Sequence, residues 1–487
     1  IPIHFEQQIL PGTFEYSLNH LIDHELDLTI FDERYRNEET GATAYDPKIL
    51  LKIILFAYSR GITSSRRIAR ACEENIIFMA LSCDTKPHFT TIADFVSTMD
   101  KEIGKLFKEV LLVCDDMGLI GKEMFAIDGC KLPSNASKEW SGTKADFEKK
   151  ADKMEKAIEN ILKKHRGEDQ NKTESKEKET EEKFVTTLNK RISKIREWLK
   201  DNDDKPGKTG KPKKSNITDN ESAKMKTHRG VIQGYDGVAV TDGKHQVIVK
   251  AEAFGEAQEH DLLKPMVEGV RKTFQEIEEE ADIFQKAKLL ADSGYHTEKN
   301  MEMLFAENID AYVADTQFRK RDPRFADYRR YKDEARKDWA QGKPKLFRTE
   351  DFTFDKDMKY CICPAGRRLY RSGANQKAHR FKGTQTTCVS CTLREQCLRK
   401  PEKTIIRQVA HFSSRTGSGP SFTDRMKRKI DSAIGRVLYG IRLAISEPPF
   451  SHITSSLKLD RFTLRGKKKV NTQWNLFCIV HNLAKIH

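Results

Sequence analysis

Two aspartates stand at comparable places in this chain. Asp128 closes the apolar run Met124-Phe-Ala-Ile, and Asp292 closes the run Ala287–Ala291. Both runs read as short buried strands. Each acid is soon followed by a glycine, Gly129 and Gly294, which leaves backbone room at a strand exit. Open α/β sheets gather their ligand chemistry at strand ends. Two carboxylates brought together there repel each other unless a cation lies between them. Hard oxygen ligands select Mg²⁺ or Mn²⁺, and a pair of such ions suits phosphodiester cleavage. The bland reading of the same acids is that they form turns.

A second group is made of sulfur. Cys361-x-Cys363-Pro-x-Gly is followed by Cys388-x-x-Cys391 and Cys397. Cys-x-x-Cys with further cysteines in reach is a zinc-knuckle spacing. Cys363, Cys388, Cys391 and Cys397 are the expected ligands of a structural Zn²⁺, with Cys361 as a fifth candidate. The alternative is a set of reduced packing cysteines. Nearby Arg367, Arg368, Arg371, Arg394 and Arg399 would make this segment a DNA contact. The other cysteines (Cys72, Cys83, Cys114, Cys130 and Cys478) are scattered, as in a reduced cytosolic protein.

Other charged groups carry less. Gln258-Glu259-His260-Asp261 opens a helix, where acids serve as caps and first-turn residues. His296 follows Asp292 and is either a DNA contact or a surface residue at the strand exit. Arg461, Arg465 and Lys467–Lys469 form a basic patch suited to phosphate.

The elements that must position these groups form an interrupted α/β pattern. Residues 1–120 are expected to be an N-terminal helical DNA-binding domain. Within it Asp46-Pro47 caps a helix that Gly61 ends, Thr63 or Ser64 caps a second helix, and Thr90-Thr91 precedes a third. Arg66, Arg67 and Arg70 suit a helix-turn-helix-like module; a small bundle without DNA contact is the other reading. Residues 121–143 hold the first strand of the core. Residues 144–216 are expected to be an inserted helical hairpin and basic linker. Its two stripes run from Phe147 to Ile161 and from Val185 to Leu199, separated by a polar run at 165–182. The hairpin is read as a dimerisation or DNA-clamping arm, or as a solvated spacer. The core resumes over 217–319 as strand, strand, strand, helix, strand, helix, strand, with Asp242-Gly243 as a hairpin signal. A basic Cys-rich insertion follows at 320–420 and a helical C-terminal part at 421–487.

The chain has 487 residues, room for two to four domains. Lys and Arg number 87 against 73 Asp and Glu, a net of +14 that favours an anionic partner such as nucleic acid. No run approaches a membrane span. No signal peptide is visible, although the chain starts at Ile1 rather than Met.

Phe-Ala-Ile-Asp128-Gly-Cys-Lys-Leu-Pro-Ser-Asn135 resembles the first catalytic block of bacterial insertion-sequence transposases of the DDE class, and Ala-Asp292-Ser-Gly-Tyr-His resembles the second. Gly234-Tyr-Asp-Gly-Val-Ala-Val is similar to the stretch between them, and Tyr439-x-x-Arg442-x-x-x-x-Glu447-Pro448-x-Phe450 to the third. Tyr45-x-Pro47 through Arg70 resembles that group's N-terminal helical domain. Insertion-sequence family eleven-eighty-two, which also carries a late cysteine cluster, is the nearest likeness. The resemblance implies an RNase H-like core, a mixed sheet flanked by helices, in which Asp128, Asp292 and Glu447 hold two divalent ions, Mg²⁺ or Mn²⁺. Tyr439 and Arg442 would hold the DNA backbone, Arg by its phosphate-matching fork. The implied partners are double-stranded DNA, as terminal inverted repeats and target, and a second copy of the chain in a synaptic complex. The implied location is the bacterial cytoplasm, on the nucleoid. The third block departs from the pattern at Pro449, Ser451 and Thr454, where Thr454 takes the place of a Lys. Lys458, one turn later, is the candidate substitute. The implied activity is end cleavage and strand transfer. A nuclease without strand transfer and an inactive DNA-binding derivative are the alternatives.

Overall fold

The computed structural model describes residues 4–34, 44–168, 175–207, 210, 212–227, 230–278, 282–327, 346–375, 378–412 and 420–487. They fall into a unit of residues 1–315 with 426–487 and a unit of residues 316–425.

The larger unit begins with helices α1 (Phe14–His20), α2 (Pro47–Ser59), α3 (Ser65–Glu74), α4 (Ile76–Leu81), α5 (Phe89–Thr98) and α6 (Asp100–Asp116). As expected, Asp46 caps α2 by accepting from Lys48 N at 2.8 Å, with Pro47 at its first position. Helices α4 and α6 were not expected. Asn75 caps α4 with only one residue between it and α3. Helix α6 carries the stripe Ile103, Leu106, Phe107, Val110, Leu111 and Cys114, and it buries that face.

The sheet is built from β1 (Met124–Pro133) and from elements that follow a long insertion. The insertion contains β2 (Ser141–Gly142), α7 (Lys144–Glu168), α8 (Ser175–Asp201) and β3 (Ser215–Asn216). Helices α7 and α8 pack as a pair over Phe147, Ala151, Ile195 and Trp198. Both reach into the polar run, which was expected to separate them. Lys164 there pairs with Glu181 at 2.9 Å, so ion pairs rather than apolar contact join the helices at that end. At the base, β2 and β3 form a short antiparallel ladder that returns the chain to the sheet.

Then come β4 (Ala223–Thr227), β5 (Gly230–Asp242), β6 (Ile248–Phe254), α9 (Leu263–Glu278), β7 (Lys288–Ala291), α10 (Glu298–Ala306) and β8 (Asp310–Val313). Apart from β4, this is the order read from the sequence. The strands run β6-β5-β1-β7-β8, and β4 pairs with the first residues of β5. Strand β1 is antiparallel to β5 and parallel to β7, and β7 is parallel to β8. Asp242 ends β5 and accepts from the backbone of Gly121, Lys122 and Lys244, which fixes the turn at Asp242-Gly243.

The C-terminal part of the unit includes, after a helix over Phe422–Asp431, helices α11 (Ala433–Ser451) and α12 (Lys467–Ile486). Helix α12 is buried almost all round. It lies between the N-terminal helices, where Tyr58 meets Phe477, and the sheet, where Trp474 Nε1 donates to Val238 O. Asn482 accepts from Ile248 N and donates to Ile248 O, both at 2.9 Å. Helix α11 continues through Pro448 and Pro449. Pro448 has no N–H for the carbonyl of Ala444. Gln246 Nε2 supplies that hydrogen bond at 3.1 Å.

The smaller unit contains an antiparallel sheet in the order β13-β12-β11-β10-β9, formed by β9 (Thr353–Phe354), β10 (Tyr360–Ile362), β11 (Arg368–Asn375), β12 (Ala378–Lys382) and β13 (Gln408–Phe412). Phe352, Cys361, Leu369, Phe381 and Val409 are its core.

Candidate functional site

The parallel register of β1 and β7 pairs Ile127 with Ala291. The next residue after each of these is an aspartate. Asp292 follows the last residue of β7, whereas Asp128 lies within β1. Strand β1 was expected to end there but continues to Pro133 because β5 goes on pairing with it, Asp128 opposite Ala239. Asp292 caps a short turn by accepting from Gly294 N at 2.7 Å. Asp128 Oδ1 accepts from Gly129 N, and Oδ2 accepts from Arg442 Nη1 at 2.8 Å and Ser446 Oγ at 3.2 Å. Arg442 and Ser446 are one turn apart on α11, so that helix faces Asp128 with both. The Arg442 guanidinium also lies 5.7 Å from the ring centre of Tyr439.

Two further carboxylates surround the pair. Glu259 had been read as a first-turn acid, but its side chain turns inward and accepts from Lys131 Nζ at 2.7 Å. Asp236 on β5 stands opposite Lys131 on β1 and is fully buried. Burial, then the charge of Glu259, push its carboxyl up to about 7, with Asp128 and Asp292 adding to the shift and Lys131 opposing it. Asp292 is raised for the same reasons, burial first and then Glu259 and Asp128. Burial opposes the charge of Lys131, yet the carboxylate of Glu259 raises its pKa. The sequence signal for Glu259 was its place at the head of the helix after the third long strand, but nothing local distinguished it from a cap.

Glu447 is exposed on α11, one residue past Ser446. Lys458 is exposed at a left-handed backbone position, and its side chain covers Gly61. Arg461 and Arg465 donate to the carbonyls of Ser134 and Asn135, in the loop leaving β1. Lys467 pairs with Glu252 at 2.9 Å, and Lys468 is exposed beside it. Arg66, Arg67 and Arg70 lie on the exposed side of α3, opposite buried Ile68 and Cys72. Arg66 rests over the Phe89 ring, and Arg70 is 3.8 Å from Glu74. His296 ends the turn after Asp292.

In the smaller unit Cys363, Cys388, Cys391 and Cys397 line one cavity. Cys361 does not; it is buried in the sheet core. A tight turn at Cys363-Pro-Ala-Gly366 presents the first thiol, with Gly366 N donating to Cys363 O at 2.8 Å. Burial raises the Cys397 thiol, and the other three cysteines add to the shift. Arg394, expected to contact DNA, instead donates to the carbonyls of Cys388, Pro401, Thr404 and Ile405. Arg407 donates to Cys397 O. These arginines fasten the cysteine loops.

Among the described residues, no three His, Cys, Asp or Glu side chains are placed to hold a metal ion together. The donor chemistry of the acidic cluster nevertheless fits a hard cation. Asp128, Asp236, Glu259 and Asp292 face only Lys131 and Arg442 as charge partners in the contacts above, an excess of negative charge. Among the described residues no helix is long and apolar enough to cross a membrane.

Residues 362–487 match the family model described as Transposase DDE domain, and residues 3–98 match the one described as Transposase domain (DUF772). The first match contains Tyr439, Arg442 and Glu447; the second contains Arg66, Arg67 and Arg70. Asp128 and Asp292 lie outside both. No curated protein matches the chain. The two matches support a transposase with a DDE domain.

Proposed function

We propose that this chain is an insertion-sequence transposase with an RNase H-like core, which binds the terminal inverted repeats of its element, cuts the DNA ends and joins them to target DNA. The observation that carries this reading is that Asp128 and Asp292 each follow the last residue pair of the parallel β1–β7 ladder, with Asp128 held by the arginine of a late helix. The strand order β6-β5-β1-β7-β8, with the first three strands antiparallel and the last two parallel, supports the RNase H-like reading. Insertion-sequence family eleven-eighty-two is the proposed group.

In this proposal Asp128, Asp292 and Glu447 hold two Mg²⁺ or Mn²⁺ ions. When bound, such ions would supply the charge that activates a water or 3′-hydroxyl and stabilises the leaving oxygen. Arg442 and Tyr439 orient the scissile phosphate, and the bidentate guanidinium suits that task. Arg66, Arg67 and Arg70, with Lys458, Arg461, Arg465, Lys467 and Lys468, bind the flanking duplex through its phosphates. Cys363, Cys388, Cys391 and Cys397 hold a structural Zn²⁺, a role supported by their knuckle spacing and shared cavity. Pairing of two DNA ends requires at least a dimer, acting on the nucleoid in the cytoplasm.

The test is cleavage of the element's own end DNA with Mg²⁺, comparing wild type with Asp128→Ala, Asp292→Ala and Glu447→Ala. The three variants are expected to bind DNA and not cut it. Equal cutting by all three, with normal binding, would sink the carboxylate assignment. Cutting without joining by the wild type would identify a nuclease instead.

A further inference from the structure

Resting on that reading of Asp128 and Asp292, we propose that Glu259 is a further carboxylate of the divalent-cation site, facing Asp292 across Gly294. Lys131 is its positioning residue.

The geometry begins at Gly294. A β-carbon there would lie 2.3 Å from Glu259 Oε2 and 2.9 Å from Asp292 Oδ1. The two anionic oxygens thus crowd one point, and only a glycine leaves it open. Glu259 is not there by chance of a flexible chain. Its other oxygen is held by Lys131 Nζ at 2.7 Å, and its side chain is 15% exposed. Its turn is fastened to the turn of Asp292. His260 Nδ1 contacts Gly294 O at 2.5 Å, and Asn300 Nδ2 donates to both His260 O and Tyr295 O. Asn300 is itself buried. Two turns bonded in this way hold two carboxylates face to face, an arrangement that costs energy unless something positive joins them.

A second observation points to the same missing positive charge. Asp236 is 0% exposed, and neither of its carboxylate oxygens has a hydrogen-bond partner among the described residues. It lies against Gly129, beside the strand position of Asp128, where a β-carbon would be 2.8 Å from its Oδ1. The Tyr295 hydroxyl is likewise fully buried and without a partner among the described residues. Buried polar atoms are almost always satisfied. Four carboxylates (Asp128, Asp236, Glu259 and Asp292) stand against one lysine and one arginine. Counted as ionised they carry two negative charges in excess, which one divalent cation neutralises, thereby favouring the ionised forms of Asp236 and Asp292 before any DNA phosphate arrives. Glu259 and Asp292 supply the two oxygens that crowd Gly294. Asp236 is a buried anion electrostatically coupled to Glu259, Asp128 and Asp292, and it too favours a nearby cation.

The experiment is Mn²⁺ binding to the full chain without DNA, read by the paramagnetic resonance of free Mn²⁺ and by the Mn²⁺-induced rise in melting temperature. Wild type, Asp128→Asn, Glu259→Gln and Glu259→Asp are compared, with circular dichroism as the check on folding. Glu259→Gln is expected to weaken Mn²⁺ binding by about tenfold or more, as Asp128→Asn does. Glu259→Asp, which keeps the charge but withdraws the oxygens, is expected to fall between Glu259→Gln and wild type. Should Glu259→Gln not fold, Glu259→Asp carries the test, and wild-type affinity in it overturns the proposal. Wild-type affinity in Glu259→Gln, with loss in Asp128→Asn, overturns the role of Glu259 and leaves the catalytic reading intact. Wild-type affinity and cleavage in Asp128→Asn overturns the catalytic reading itself. A wild type that takes up no Mn²⁺ without DNA also overturns this proposal, because the carboxylates alone would then not form a site.

Discussion

Arg442 Nη1 lies 2.8 Å from Asp128 Oδ2, the two residues meeting from a C-terminal helix and the central strand, 314 positions apart. The guanidinium is nearly buried, and burial opposes its charge; the neighbouring carboxylate outweighs this and keeps it firmly protonated. In the proposed function Asp128 is also a metal ligand, so Arg442 occupies an oxygen that the ion would need, and cation and arginine would compete for Asp128. Arg442→Gln is expected to bind Mn²⁺ at least as tightly as wild type, while losing DNA cleavage by about 100-fold or more because the phosphate loses its clamp. Asp128→Asn is expected to lose both. Titration with Mn²⁺ and an end-cleavage assay on the same samples separate the two patterns. Weaker Mn²⁺ binding in Arg442→Gln would show that the arginine supports the metal site rather than competing with it.

Gly294→Ala is expected to leave the fold standing and the site disabled. Its added methyl would meet the tips of Glu259 and Asp292 rather than backbone. Side-chain ends can swing aside, so the expected loss of stability is about 1–3 kcal/mol, in the range of overpacking. The displaced carboxylates are then out of register, and cleavage should fall far more than stability does. Thermal melting and end cleavage measure the two separately. Full activity in this variant would show that the narrow approach at Gly294 has no part in the chemistry.

Five strands of the larger sheet, their order along the chain and the two aspartates were legible because each depends on a local signal, an apolar run followed by an acid and a glycine. Strand β4, the sheet of the smaller unit and the continuation of β1 past Asp128 to Pro133 were not, because they depend on pairing with distant segments. Glu259 was not legible as part of the cluster. Its neighbours in sequence form an ordinary helix opening, and only the pairing of β1 with β5 and the bonding of two turns bring it to Asp292. Asp236 was quoted within a motif, but its register opposite Lys131 needed the sheet. Arg394 was misread because a cationic side chain suggests phosphate, whereas the loop around it offers four carbonyls. Helix α11 runs through two prolines because a residue far away in sequence, Gln246, satisfies a carbonyl the prolines orphan.

Acid should weaken the fold through His481. Its Nε2 lies 2.9 Å from the carbonyl of Gln246, which can only accept, so Nε2 carries the hydrogen. Nδ1 is then the acceptor for His452 Nδ1–H at 2.9 Å. Burial first, and then the nearby charges of His452 and Lys485, lower its pKa from 6.5 to about 3, against the pull of the Gln246 carbonyl. The unfolded chain takes up a proton near pH 6.5, and the folded chain does not until about pH 3. Between those values the unfolded state binds more protons, so stability decreases as the pH is lowered, by up to about 1.4 kcal/mol per unit. Above pH 7 this contribution is constant. Denaturant midpoints at pH 7, 6 and 5 are expected to decline less steeply in His481→Gln than in wild type. Parallel slopes would place the acid sensitivity elsewhere.

The cysteines make the last prediction, because the smaller unit distinguishes five otherwise similar residues. Cys361 is fully buried in the sheet core with Phe352, Leu369, Phe381 and Val409, where a small apolar side chain is what packing requires. Cys363, Cys388, Cys391 and Cys397 share a cavity, and Arg394 and Arg407 fasten the backbone on which the last three stand. In the proposed zinc site these four thiols would bind the metal as thiolates, and the metal would then contribute to folding. Purified protein treated with a thiol-blocking mercurial is expected to release one zinc per chain to a colorimetric chelator. Cys388→Ser should carry little zinc and melt at lower temperature. Cys361→Ala should keep its zinc and lose only the stability of a core methyl-sized gap, about 1–2 kcal/mol. Zinc loss in both variants, or in neither, would show that burial does not sort these cysteines into ligand and core.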